Sequence, residues 1–130
     1  MNEHFKERQS EAIELFCIEE RAGVLMIELK PNLNRWNANV FMQQLIKLIE
    51  LKQPARVVID LHNLSRIDDT TIRAFNVACQ KISRPQENFV LCGFSSASVK
   101  ETFRKFGFHH LCVLNDSSEK TFIRNTKVST

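Results

Sequence analysis

Short apolar runs and helically spaced apolar sets follow one another along this chain, and their order predicts an α/β fold. Phe16-Cys-Ile-Glu-Glu20, the turn Arg21-Ala-Gly23 and Val24-Leu-Met-Ile-Glu-Leu29 read as a hairpin closing at Gly23, with Pro31 ending it. From Asn37 to about Lys52 the period becomes helical, with Val40, Phe41, Leu45, Leu48 and Ile49 on one broad face and Pro54 as the stop. Val57 to Leu61 reads as a buried central strand. A second helix runs from about Asp69 to Ser83, where Arg84-Pro85 terminates it. Asn88 to Cys92 is another buried strand, and Gly93 turns the chain. Ser95 or Ser96 caps a third helix reaching Phe106, and Gly107 supplies its left-handed stop. Leu111 to Leu114 is a short last strand, and Ser117 to about Arg124 forms a closing helix capped by Asp116 or Ser117. The expected architecture is one mixed sheet that opens with a hairpin and carries its helices mainly on one face. The domain spans residues 13–124, with residues 1–12 as an extension and residues 125–130 as a loose polar tail.

With 130 residues the chain makes one domain that buries roughly two thirds of its unfolded surface. No run of about 18 apolar residues offers a membrane span. The charged start Met1-Asn-Glu-His-Phe-Lys-Glu-Arg-Gln-Ser10 has no apolar secretory core, so a cytoplasmic protein is expected. The net charge of +3 is spread without a basic block, which gives nucleic-acid binding little support. Cys17, Cys79, Cys92 and Cys112 are widely separated and form no CxxC pair. His109, His110 and Cys112 are the nearest approach to a metal-ligand set, but a matching second pair is missing. Neither a metal nor another cofactor is expected.

Enzymatic readings meet similar obstacles. Three glycines, Gly23, Gly93 and Gly107, cannot build a P-loop or a dinucleotide fingerprint. Ser95-Ser-Ala-Ser98 lacks the spacing of a nucleophile elbow and is better explained as a helix cap. Asp60 and His62 share one side of a strand, where they could do acid-base work or orient a loop. Trp36 lies between the hairpin and the first helix; exposed, it would mark a contact site, but a packed lid over the sheet is the favoured expectation. Apolar residues cover more than half of the first helix, leaving Met42 and Ile46 as surplus. Residues 1–12 could cover these two, or they could form a homodimer or partner surface.

The start of the second helix carries the strongest chemistry. On a helical wheel Ile72, Phe75, Ala78, Cys79 and Ile82 fall within one inward arc, and Thr71 points in with them as a cap. Thr70 falls outside, in line with Arg73, Val77 and Lys81. That stripe, cationic and partly apolar, suits docking to another protein better than catalysis. A phosphate on Thr70 would be favoured by the helix dipole and free amides, with Arg66 and Arg73 able to pair with it. Asp68 and Asp69 oppose it by like charge. The alternative is that Asp68, Asp69 and Thr71 simply cap the helix.

Val57-Val-Ile-Asp-Leu61 followed by Ile67-Asp-Asp-Thr-Thr-Ile-Arg-Ala-Phe75, Phe89-Val-Leu-Cys-Gly93, and Val99 to Phe108 with its late Phe106-Gly-Phe108 together resemble the STAS domain of bacterial anti-sigma factor antagonists. The resemblance runs from about Ile13 to Phe122. Family members usually read Asp-Ser-Ser/Thr-Gly after the strand, and a partner kinase phosphorylates the second hydroxyl. Asp68 matches the family aspartate, Asp69 replaces the first hydroxyl, Thr70 takes the phosphoacceptor position and Thr71 replaces the glycine. The resemblance therefore implies a non-enzymatic module whose partner is an anti-sigma factor or related kinase-like protein, with Asp68, Asp69, Thr70, Arg73, Val77 and Lys81 at the contact. It also admits a scaffold or accessory subunit of a transport or signalling assembly that uses no phosphate.

Overall fold

The computed structural model describes residues 15–115, which form a five-stranded mixed sheet and five helices. Strands β1 (Phe16–Arg21) and β2 (Val24–Leu29) pair antiparallel across a two-residue turn. Ala22 and Gly23 there both have positive φ, 49° and 80°, the geometry that joins right-twisted strands in a tight hairpin. Strands β3 (Arg56–Asp60), β4 (Phe89–Cys92) and β5 (Val113–Asn115) follow, each parallel to the one before, in the order β1-β2-β3-β4-β5. Parallel neighbours need a crossover, and the crossovers carry α1 (Ala38–Lys52), α2 (Asp69–Cys79), the single-turn α3 (Pro85–Asn88), α4 (Ala97–Lys105) and the single-turn α5 (Phe108–Leu111). Right-handed crossovers that always step the same way across a sheet deliver their helices to one face.

The strand alternation shows that face. Leu25, Ile27, Leu29, Val57, Ile59, Phe89 and Leu91 join the buried residues of α1, α2 and α4 in one large core. Met26, Val58, Val90 and Cys92 form a smaller buried cluster on the opposite side of the strands. A row of phenyl rings ties the helices together. Phe16 meets Phe41 of α1 at 5.7 Å between centroids, Phe41 meets Phe75 of α2 at 5.2 Å, and Phe75 meets Phe103 of α4 edge-on at 5.3 Å. Phe103 then meets Phe108 at 5.0 Å. Edge-to-face and tilted contacts at these separations exploit the ring quadrupole in addition to burial.

Several boundaries differ from the sequence pattern. The pattern carries the second helix to Ser83, but α2 ends at Cys79, where Lys81 N–H and Ile82 N–H donate to the carbonyls of Ala78 and Cys79 and tighten the chain. Arg84 then takes a left-handed conformation, and Pro85, suited to a first helical position, opens the unanticipated α3. The last strand starts at Val113 instead of Leu111, because Gly107, at φ 82°, ends α4 and also starts α5. Met42 and Ile46 are half-buried and pack against the core, whereas the exposed apolar residues of α1 are Val40 and Leu51. Residues 1–12, the helix expected from Ser117 to Arg124 and the tail at 125–130 lie outside the described residues.

Two outcomes follow from the core. Replacing Phe75 by alanine removes the central ring of the row, and urea denaturation should register a loss of about 3–5 kcal/mol. Cys17 is exposed while Cys79, Cys92 and Cys112 are buried, so a thiol reagent should titrate one group rapidly in native buffer and all four in denaturant.

Candidate partner-binding site

Because β2 and β3 run parallel, the chain leaves both at the same edge of the sheet, and the two loops that follow lie side by side. The Asn63 side-chain amide of the second loop donates to the Leu29 carbonyl at the end of β2, at 2.9 Å. Leu33 of the first loop and Leu64 of the second are buried beneath them. Between the loops opens a cleft of about 460 Å³, whose polar wall is made by Asn34, Arg35, Arg66, Asp68 and Thr71, with Trp36 beside it.

Asp68 closes the cleft and starts α2. Its extended backbone, φ −112° and ψ 173°, is that of a helix N-cap. Oδ1 accepts from Thr71 N–H at 2.9 Å and from the Thr71 hydroxyl at 3.0 Å, while Oδ2 lies 3.9 Å from Arg35 Nε. Thr71 is thus buried, at 2% exposure, with its hydroxyl satisfied. Thr70, one residue earlier, is exposed in the first turn, next to exposed Asp69. Arg73 and Val77 are exposed along α2, and Lys81 is exposed just beyond its end. Arg66 and Arg73 form no ion pair among the described residues.

Trp36 is no lid: it is 85% exposed, and Leu33 and the buried residues of α1 take the place in the core that a lid would have filled. A web of asparagine side chains folds its loop back on itself. Asn34 Oδ1 accepts from Trp36 N–H at 2.8 Å, Asn37 Oδ1 accepts from Asn34 N–H at 2.8 Å, and the Asn37 side-chain amide donates to the Asn32 carbonyl at 2.9 Å. Such local bonds are what short amide side chains offer outside regular structure. Asn32, Asn34 and Asn37 around an aromatic residue were the available sequence signal.

The Asp60–His62 pair lies at the C-terminal end of β3, on the side of the smaller cluster. Asp60 is buried, and its Oδ1 accepts from His62 N–H at 2.9 Å and contacts His62 Nδ1 at 2.8 Å. His62 Nε2 lies 3.3 Å from Glu28 Oε2. Gly93, at φ 69°, makes room for the pair: a Cβ there would stand 2.4 Å from Asp60 Oδ1. Ser95 donates its hydroxyl to the His62 carbonyl at 2.7 Å, so it faces the backbone and not the imidazole. These bonds orient the loop. Ser96, not Ser95, caps α4, accepting from Val99 N–H at 3.3 Å.

At the far end of α2 the Cys79 thiol donates to the Leu111 carbonyl at 3.8 Å, and the neighbouring Cys112 thiol is pushed well up by Cys79 and by burial, while Cys79 is pulled down by Cys112. His109 and His110 are exposed with ring centroids 3.9 Å apart, apart from buried Cys112 in environment. Among the described residues no group of three or more His, Cys, Asp or Glu is arranged to hold a metal ion, and no helix is long and apolar enough to cross a membrane.

Removing the cap tests how the site is held. Asp68→Ala should cost about 1–3 kcal/mol, from the lost cap and the stranded Thr71 hydroxyl, whereas Asp69→Ala should stay within about 0.5 kcal/mol of the parent in urea denaturation.

Comparison with known proteins agrees with this architecture. The solved structure of SpoIIAA, an anti-sigma factor antagonist, in its unphosphorylated form is similar with a TM-score of 0.70 and 14% identity, over 86% of this chain and 96% of that one. An anti-sigma factor antagonist from Mycobacterium paratuberculosis gives 0.68 and 14%, over 84% and 91% of the two chains. The phosphorylated form of the Bacillus cell fate determinant SpoIIAA gives 0.66 and 13%, over 85% and 98%. At such identities the likeness is one of fold. No curated protein sequence matches the chain. The family model of the STAS domain matches residues 16–121, and the chain belongs to the STAS domain family.

Proposed function

We propose that this chain is a non-enzymatic regulatory module of the anti-sigma factor antagonist kind, which docks a partner protein on the Thr70 end of α2 and is switched by phosphorylation of Thr70. The observation that carries this reading is the unequal treatment of the two adjacent hydroxyls. Thr71 is buried and bonded to Asp68, while Thr70 stands exposed in the first turn of α2, where a kinase can reach it. A phosphate there would meet the positive end of the helix dipole. SpoIIAA, whose fold this chain shares, is known in both an unphosphorylated and a phosphorylated form. The partner class is an anti-sigma factor with kinase activity, which the unmodified module would sequester. Arg73, Val77 and Lys81 extend the contact along α2, while Asp68 and Asp69 flank the acceptor. The module works in the cytoplasm without a cofactor.

A second reading, a scaffold or accessory subunit without phosphate, draws on exposed Asp69 next to Thr70, whose like charge opposes a phosphate. Incubation of the chain with purified anti-sigma factor kinases and ATP, followed by intact mass and fragment analysis, separates the two. The switch predicts one phosphate on Thr70, none on Thr70→Ala, and binding of the kinase by Thr70→Glu weakened at least about tenfold, or ~1.4 kcal/mol. An unmodified Thr70 together with unchanged binding by Thr70→Glu would remove the switch and favour the scaffold.

A further inference from the structure

Among the described residues the most exposed large apolar side chain is Trp36. An indole left 85% exposed gives up the burial that stabilises large apolar side chains, so it needs a reason outside the isolated fold. Its display is also built. The Asn32, Asn34 and Asn37 web fixes the loop before and after it, the backbone N–H of Trp36 is itself held by Asn34, and buried Leu33 pins the loop to the core. The Arg35 guanidinium carbon lies 6.0 Å from the indole centroid, and Arg35 also reaches Asp68 across the cleft. A rigidly presented tryptophan beside arginines is the composition of an energetic hot spot, and its fixed loop loses little freedom on binding.

We infer that Trp36, with Arg35 and Arg66 at the adjoining cleft, anchors the same partner protein that docks on the Thr70 end of α2, and that the partner offers an apolar pocket for the indole ringed by carboxylates. This rests on the function proposed above and adds to it the residue that supplies most of the affinity. Charge decides the chemistry of the partner. Asp68 has its Oδ1 taken by Thr71 and its Oδ2 near Arg35, and Arg66, Arg73 and Lys81 outnumber exposed Asp69, so the outward charge around the cleft and along α2 is net cationic. Arg66 and Arg35 line one cleft with Asp68, which joins the Trp36 loop to the start of the Thr70 helix in a continuous surface. A membrane is the less fitting occupant, because a single exposed aromatic offers little insertion.

The full chain carries p-benzoylphenylalanine in place of Trp36, Arg73 or Leu51 in its own cells, and adducts formed by light are identified by mass spectrometry. Leu51 serves as control, being 77% exposed at the other end of α1, about 20 Å away along the helix. The inference predicts one and the same protein from positions 36 and 73 and not from position 51. An adduct from 73 without one from 36 overturns the anchor and leaves the proposed docking face standing. An adduct from 36 alone overturns the docking face, and with it the shared interface. No adduct from either overturns both.

The purified adduct protein is then titrated against the unmodified chain, whose single tryptophan and lack of tyrosine make Trp36 the reporter. Binding should shift its emission to the blue. Trp36→Ala should weaken binding, followed calorimetrically, at least about tenfold with an unchanged Tm, while Trp36→Phe keeps part of the affinity. Arg66→Gln should flatten the salt dependence. Equal affinity for Trp36→Ala, or a blue shift with phosphatidylglycerol vesicles at physiological salt but not with the adduct protein, would overturn the anchor.

Discussion

The packing of Phe75 between Phe41 and Phe103 is the constraint on which the functional surface depends. It sets the position of α2 against both neighbouring helices, and hence where that helix begins. Phenyl rings at these distances cannot slide without opening voids, since interiors are packed as densely as organic crystals. The first turn of α2 therefore sits at a defined place over the end of β3. Thr70 inherits its outward direction from Phe75 and Ile72 pointing inward, one wheel position fixing the other.

A second constraint aligns the site along the sheet. Parallel pairing of β2 with β3 sends both chains out at one edge, so residues more than thirty positions apart meet in one cleft. The bond from Asn63 to the Leu29 carbonyl and the approach of Arg35 to Asp68 both span that gap. Neither strand alone holds any of this surface. The arrangement also separates roles: Asp68 and Thr71 spend their polar atoms on holding the helix start, which leaves Thr70, Arg66, Arg73 and Trp36 as groups that face outward.

Much of the fold was legible because its signals are local. Gly23 at a positive φ closes the hairpin where the apolar runs change direction, and Ser96 caps α4 beside its apolar spacing. Helix ends were less legible. α2 stops at Cys79 through backbone bonds of the shorter i to i−3 kind, which leave no mark in residue type, and the apolar Ile82 after it keeps the helical spacing while lying in a turn. Gly107 reads as a stop, yet the same left-handed residue also launches α5.

Hydrophobic spacing by itself determined the element order, the inward arc of α2 and the sheet with helices on one face, because burial of apolar area acts on every residue according to its period. Only the tertiary structure decided that Trp36 stands free and that its loop closes a cleft with Arg66 and Asp68. Periodicity says which residues of an element turn inward, but a loop has no period, and whether an indole in it is covered depends on space left by elements distant in the chain. Here Leu33 and α1 had already filled that space, and the asparagines turned the indole outward.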